Sequence, residues 1–266
     1  MKESLPIGIF DSGVGGITVL GRAVRLMPKE NYIYYADTAN FPYGDKSHEE
    51  VRDDVFKAVA KMAERGIKML VVACNTATAA AIKELRAAYD FPVLGIEPAL
   101  KPAVEGEGHG RIAVIATQLT LQEEKFRLLF QRYGAEKGQI LSLPAAGLAD
   151  LVENGHYNDD TGRSFLRSLF QGVEADTIVL GCTHYLFLLP LIRELFPHAL
   201  VIDGGEGLSR NILRTIETRG LANKNGSGKV TVMASDTSFL PRFDCFFEDI
   251  QSILDTLPHR IEQSSF

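Results

Sequence analysis

The strongest constraint in this chain is a short apolar run that ends on a cysteine and opens into a new element, and it occurs twice. Met69 to Ala73 leads into Cys74-Asn75-Thr76-Ala77-Thr78, and the alanine-rich segment from Ala77 to Ala88 has the composition of a helix. Thr177 to Gly181 leads in the same way into Cys182-Thr183-His184. Runs this short and this apolar read as strands buried on both faces of a parallel sheet. A thiol at a strand-to-helix turn meets unpaired backbone N–H groups and the positive end of the helix dipole, and both favour negative charge.

The surrounding pattern extends this reading. Ile7 to Phe10 is a strand, Asp11-Ser12-Gly13-Val14-Gly15-Gly16 a turn, and a helix follows to Met27, where Pro28 stops it. Tyr32 to Ala36 is the next strand, and the loop after it carries Phe41-Pro42-Tyr43-Gly44. Ser47 with Glu50 forms a capping box for a helix whose apolar face is Val51, Val55, Val59 and Met62. The Cys74 strand and its helix come next, then a strand from Pro92 to Ile96. After a Gly-rich stretch at 106–110 the pattern restarts with Arg111 to Ala116, Ile140 to Leu143, the Cys182 strand, a helix to Phe196, and Leu200 to Ile202.

Cys182 follows Thr117 at nearly the interval by which Cys74 follows Asp11, and the next strands end on Asp203 and Glu97 at matching distances. The expectation is an α/β protein of two similar parallel-sheet units related by pseudo-symmetry, with the active site in the cleft between them. Ligands of open α/β sheets sit beyond the carboxyl ends of the strands, which places Asp11, Cys74, Thr117 and Cys182 around one pocket. The tail from Leu208 reads as one helix, one strand (Lys229 to Ala234) and an aromatic-rich end.

Net charge of −6 and a pI near 5.6 argue against a nucleic-acid-binding face. No apolar run is long enough to span a bilayer, and Glu3, Pro6 and Asp11 interrupt any signal-peptide pattern. Three widely spaced cysteines make no disulfide framework, so free thiols in the cytoplasm are expected.

Two facing thiols suit one kind of chemistry. A cysteine of pKa about 8.5 is only a few per cent thiolate at neutral pH, and bringing it to about 7 takes roughly 2 kcal/mol of thiolate stabilisation. One thiolate removes a proton from one face of a carbon while the opposite thiol returns one to the other face, which inverts a stereocentre without a cofactor. Burial as small apolar fillers is the plain alternative for either cysteine alone. A zinc site with His184 lacks the close ligand spacings of such sites.

The loop at Asp11, with Asp37 closing the next strand, imitates a dinucleotide fingerprint. A carboxylate at Asp11 would repel pyrophosphate, however, and suits an ammonium group or a proton relay. Ser12, Thr76, Thr117 and Thr183 offer hydroxyls which, with helix N-terminal N–H groups, would hold a substrate carboxylate. His184 is either a surface histidine or a polariser of the second thiol, and Glu153 by itself reads as a solvated loop acid. Cys245, among Phe243, Phe246 and Phe247, reads as structural.

Phe10-Asp11-Ser12-Gly13-Val14-Gly15-Gly16, Pro42-Tyr43-Gly44, Ala73-Cys74-Asn75-Thr76-Ala77 and Leu180-Gly181-Cys182-Thr183-His184 together resemble the glutamate racemase family. The resemblance implies interconversion of L- and D-glutamate for peptidoglycan synthesis, with no cofactor and no metal, by a protein that is usually a homodimer. It implies Cys74 and Cys182 as acid/base thiols, Cys74 serving the D-enantiomer and Cys182 the L-enantiomer. Asp11 would assist Cys74, His184 would assist Cys182, and Glu153 matches a third supporting acid. Asp11, Ser12, Tyr43, Gly44, Asn75, Thr76, Thr117, Thr183 and His184 would bind substrate. The family's C-terminal segment returns to the first unit, so the expected domains are 1–98 with 209–266, and 99–208. The alternatives are a racemase of another acidic amino acid such as aspartate, a nucleotide-binding oxidoreductase, or a non-catalytic two-lobed amino-acid-binding module.

Overall fold

The computed structural model describes residues 2–105, 110–122, 124–137 and 140–257. The first sheet is built from β1 (Ile7–Asp11), β2 (Tyr32–Ala36), β3 (Met69–Val72), β4 (Val93–Gly95) and, much later in the chain, β9 (Val230–Ala234). The second is built from β5 (Ile112–Ala116), β6 (Ile140–Pro144), β7 (Thr177–Leu180) and β8 (Leu200–Asp203). Their strand orders are β4-β3-β1-β2-β9 and β6-β5-β7-β8, and every pairing is parallel. Without β9 the two orders superimpose: β1 corresponds to β5, β2 to β6, β3 to β7 and β4 to β8.

In each sheet the chain reverses its direction of winding around the first strand, and the crevice at that switch point is where α/β sheets bind ligands. Asp11 and Cys74 end or follow the adjacent strands β1 and β3; Thr117 and Cys182 follow the adjacent strands β5 and β7.

The helices of the first sheet are α1 (Ile17–Leu26), α2 (His48–Glu64) and α3 (Asn75–Ala88), followed by α4 (Leu100–Glu105) at the crossing to the second sheet. Those of the second are α5 (Gln118–Gln122), α6 (Glu124–Lys137), α7 (Leu148–Glu153), α8 (Asp160–Leu169) and α9 (Leu189–Leu195). The chain then closes with α10 (Gly204–Thr218) and α11 (Phe243–Asp255). The Ser47–Glu50 capping box at the start of α2 is present with both reciprocal hydrogen bonds.

Two differences from the sequence expectation stand out. The aromatic-rich tail is itself a helix, α11, because Phe243, Phe246, Ile250, Ile253 and Leu254 recur on one buried face. The segment after Cys182 is not an α-helix but a 3₁₀ stretch, Thr183–Leu188, and α9 starts only at Leu189. Pro190 accounts for the break: a proline ring clashes with the carbonyl four residues back unless it sits in the first turn of a helix, which is where α9 places it.

One buried apolar cluster runs from Ile7, Ile9 and Val71 through Ile17 and Leu20 of α1, across Tyr185 to Leu189, and into Ile178 and Leu180 of the second sheet. The C-terminal elements join it, as β9 pairs with β2 and α11 lies on α1, where Arg25 donates to Gln251. Arg22 of α1 also forms a two-pronged ion pair with Asp203, the N-cap of α10, at 2.8 and 2.6 Å. The 258–266 end of the expected first domain lies outside the described residues.

At the opposite rim of the first sheet, Lys68 is buried and donates to Glu30 and to the carbonyls of Glu3 and Leu221. Glu30 in turn accepts the Asn223 N–H at 2.7 Å, so one ion pair ties the start of the chain to the approach to β9. Glu30→Ala strands a buried ammonium and is expected to cost about 3–5 kcal/mol in urea unfolding, whereas Glu206→Ala, which opens the exposed pair with Arg210, costs less than about 1 kcal/mol.

Candidate active site

The two cysteines line one cavity, which they share with Ser12, Phe41, Pro42, Tyr43, Gly44 and Thr76 of the first unit. Thr117, Ala145, Ala146, Asp150, His184 and Tyr185 close it from the second. Its volume is about 50 Å³, and among the described residues no lysine or arginine lines it. The two walls touch directly: Thr76 Oγ1 lies 3.1 Å from Thr117 Oγ1, and Gly44 packs so close to Thr117 that a Cβ would meet its Cγ2 at 3.2 Å.

Cys74 is the N-cap of α3 and its sulfur accepts the Ala77 N–H at 3.4 Å, as a strand-to-helix turn provides. Its Sγ is also 3.6 Å from Ser12 Oγ. The expected lowering of its pKa is not what the environment produces. Burial, with the Asp11 carboxylate nearby, pushes the thiol up to about 12, and the Ala77 N–H and Ser12 hydroxyl offset only part of this.

Asp11 is fully buried at the end of β1. It accepts the Gly13 N–H at 3.0 Å and the Thr183 hydroxyl at 3.1 Å. Burial raises its pKa to about 6, against the lowering effects of His184 and of those two donors.

Cys182 has a different neighbourhood. It lacks a side-chain cap bond, since a 3₁₀ stretch follows it, and its Sγ lies 3.6 Å from His184 Nδ1. His184 is 2 % exposed, which removes the surface reading, and its Nε2 meets Glu153 Oε1 at 2.8 Å. Burial opposes charge on this imidazole, but the hydrogen bonds and charges of Cys182 and Glu153 outweigh it and hold the ring's pKa well above the ordinary histidine value. Glu153 is therefore no solvated loop acid: the same Oε1 also accepts the Val14 N–H, from the glycine loop of the other unit, at 2.6 Å.

Four of the expected residues do not line this cavity. Asp11, Glu153 and Thr183 stand behind it: Glu153 bonds His184 of its wall, and Asp11 and Thr183 bond each other. Asn75 lines a neighbouring cavity of about 340 Å³ with Thr78, Lys83, Arg86 and Glu97, and its Oδ1 is buried without a hydrogen-bond partner among the described residues. The Tyr43 hydroxyl is taken up by Asp37, to which it donates at 2.6 Å. Asp37 thus secures the Phe41–Gly44 loop and is not free for a ribose, and the amides of Gly13 and Val14 are occupied by carboxylates. Neither half of the dinucleotide fingerprint remains available to a nucleotide.

The sequence reading missed Phe41, whose ring packs 5.5 Å from that of His184, and Asp150 and Tyr185 in the wall. Phe41 lay within a loop already singled out; Asp150 and Tyr185 carry no signal of their own, since only the packing of α7 and of the 183–188 stretch brings them inward. Among the described residues no group of three or more His, Cys, Asp or Glu could hold a metal ion, and no helix is long and apolar enough to cross a membrane.

Residues 17–208 match the family model described as Asp/Glu/Hydantoin racemase. The chain is 47 % identical to a glutamate racemase of Halothermothrix orenii over 234 residues, covering 86 % of this chain and 92 % of that one. It is 43 % identical to a glutamate racemase of Clostridium botulinum, strain Alaska E43, covering 89 % and 94 %. Among solved structures it resembles the Escherichia coli glutamate racemase in complex with L-glutamate and the activator UDP-MurNAc-Ala, at TM-score 0.79 and 31 % identity over 91 % of this chain and 95 % of that one.

The raised pKa of Asp11 carries a stability consequence. A carboxyl whose folded pKa exceeds its unfolded value favours the native state fully below the unfolded pKa of 3.8, and that contribution is lost as pH rises through about 6. Asp11→Asn removes the buried negative charge, so its stability relative to the parent protein is expected to grow between pH 4 and pH 8, by up to about 3 kcal/mol in urea unfolding, while turnover falls.

Proposed function

This chain belongs to the Asp/Glu/Hydantoin racemase family, and on that premise we propose that it interconverts L- and D-glutamate by proton transfer between two cysteines. The observation that carries the mechanism is that Cys74 and Cys182, one from each unit, line a single cavity. Curated relatives at 43–47 % identity carry the glutamate racemase name, and this sets the substrate.

The charge asymmetry fits a two-base reaction. Cys182 has an imidazolium beside it, the counter-charge that a sulfur anion needs, whereas Cys74 is held as the neutral thiol. In that state Cys182 takes the α-proton of L-glutamate and Cys74 delivers its own proton to the opposite face. D-glutamate then leaves behind a protonated Cys182 and a Cys74 thiolate. A D-substrate meets that second state ready to react, while another L-substrate requires the two sulfurs to exchange their proton with solvent first. Glu153, through His184, and Asp11, whose charge acts on Cys74, serve as the supporting acids of the two sides.

The hydroxyls of Ser12, Thr76 and Thr117 and the N–H groups at the start of α3 hold the substrate carboxylates, with Tyr43 and Gly44 completing the walls, while Thr183, bonded to Asp11, and Asn75, facing the neighbouring cavity, stand outside this contact set. The Thr76–Thr117 and Gly44–Thr117 contacts lie where the two walls of the cavity meet, so substrate entry is set by how closely these small groups approach. The domain division expected from the sequence, a homodimeric assembly and a cytoplasmic role in supplying D-glutamate for peptidoglycan belong to the same proposal and rest on the resemblance of the motifs.

In D₂O, purified protein is expected to convert either enantiomer of glutamate to the racemate, followed by circular dichroism, and to place deuterium at Cα, read by mass spectrometry. Cys74→Ser and Cys182→Ser should each lower turnover by at least about 10²-fold with an unchanged far-UV spectrum. Parent-like rates in both variants would overturn the two-thiol mechanism. Faster turnover of aspartate than of glutamate would favour a racemase of the shorter acid.

A further inference from the structure

The pair His184–Glu153 brings together two segments of the second unit, the 3₁₀ stretch 183–188 and the C-terminal end of α7. Both segments are also held from outside that unit. Arg242, the N-cap of α11, donates from Nη2 to the carbonyl of Glu153, the last residue of α7. A guanidinium at a helix C-terminus satisfies a carbonyl that has no intrahelical partner and complements the negative end of the dipole. The guanidinium is itself oriented, with its Cζ 5.2 Å from the ring centroid of Phe246.

One turn along α11, Phe246 packs edge-on against Phe187 of the 3₁₀ stretch, with centroids 5.6 Å apart at 86°. Tyr157 lies between them, 5.3 Å from Phe187 and 5.8 Å from Phe246, and donates its hydroxyl to Asp249 of α11. The helix thus grips the chain on both sides of Gly155, a position with φ of +85°, and grips the histidine-bearing stretch as well. Its other face is seated on α1 of the first unit.

We infer that Arg242 is a positioning residue for the Cys182 side of the reaction: its hydrogen bond to the Glu153 carbonyl sets the carboxylate that holds His184 against the sulfur. The inference rests on the assignment of His184 as the partner of Cys182 and goes beyond it by placing control of that pair on the C-terminal helix. Arg242 is solvent-exposed and does not line the cavity, so its effect passes through Glu153 and not through substrate.

Arg242→Met tests this, since methionine keeps apolar bulk over Phe246 and removes every donor, and Arg242→Lys restores a donor. Two measurements are made on parent protein and both variants: steady-state racemisation of glutamate, and the rate of iodoacetamide labelling at Cys182 and Cys74, resolved by peptide mass spectrometry between pH 6 and 9. The expected result for Arg242→Met is a kcat lowered about tenfold to a hundredfold, with KM changed much less. Labelling at Cys182 should slow at least about threefold at neutral pH, while labelling at Cys74 is unchanged. Arg242→Lys should recover most of both effects.

Parent-like labelling of Cys182 in Arg242→Met would overturn the proposal. So would equal changes at Cys74 and Cys182 accompanied by a fall in Tm of many degrees, the signature of a general loosening. Labelling does not depend on turnover, so absence of racemase activity in the parent protein would sink the functional assignment alone.

Discussion

Two carboxylates are exchanged across the cleft, and the organisation of the site depends on that exchange. Glu153 belongs to the second unit and accepts the Val14 N–H of the first; Asp11 belongs to the first and accepts the Thr183 hydroxyl of the second. Each carboxylate is therefore held by a donor of the opposite unit, Glu153 beside His184 and Asp11 near Cys74. A buried carboxylate that loses its donors costs several kcal/mol, so these crossed bonds select one relative placement of the two sheets. The glycine loop makes the approach possible. A Cβ on Gly13 would fall 1.8 Å from Glu153 Oε1, and one on Gly15 would fall 2.3 Å from Thr183 Oγ1.

The same crossing gives the two thiols unlike surroundings although their strands occupy equivalent places. Cys74 has an anion and a desolvating environment, offset by the first turn of a real α-helix. Cys182 has a 3₁₀ stretch, which aligns fewer peptide dipoles, and an imidazolium beside it. For a reaction that needs one charged and one neutral sulfur, this difference is more useful than strict symmetry. Enantiomers have equal free energy in water, so the equilibrium constant is unity and kcat/KM must be the same in both directions. The asymmetry can therefore alter only which protonation state waits for substrate, and how kcat and KM divide that common ratio.

The C-terminal segment joins these features together. β9 extends the first sheet, while α11 lies on α1 and reaches across to the Glu153 carbonyl and to Phe187. The shared core around Tyr185 to Leu189 joins the units through apolar interior, and the Arg22–Asp203 ion pair adds a charged contact beside it. The Thr76–Thr117 bridge and the Gly44–Thr117 contact lie on the cavity side, where the units are joined by small polar groups that separate at lower cost.

Much of the fold was legible in local pattern. Apolar runs of strand length, the Ser47–Glu50 box and the repeated strand–cysteine turn fixed the alternating elements, the parallel sheets and the pairing of Cys74 with Cys182, because periodicity and capping act over a few neighbouring residues. The helical state of the aromatic tail, the 3₁₀ stretch before Pro190 and the edge position of β9 were less legible, since each answers to packing or to one proline. What the sequence by itself determined was which residue types stand at the ends of which strands. What only the tertiary structure decided was their state: His184 buried and paired with a half-buried Glu153, Asp37 spent on Tyr43, Asn75 turned to a neighbouring cavity, and Cys74 shifted opposite to the expected direction. The reason is that pKa and hydrogen-bond partnership depend on desolvation and on charges far apart in the chain, and these exist only once the two units have closed on each other.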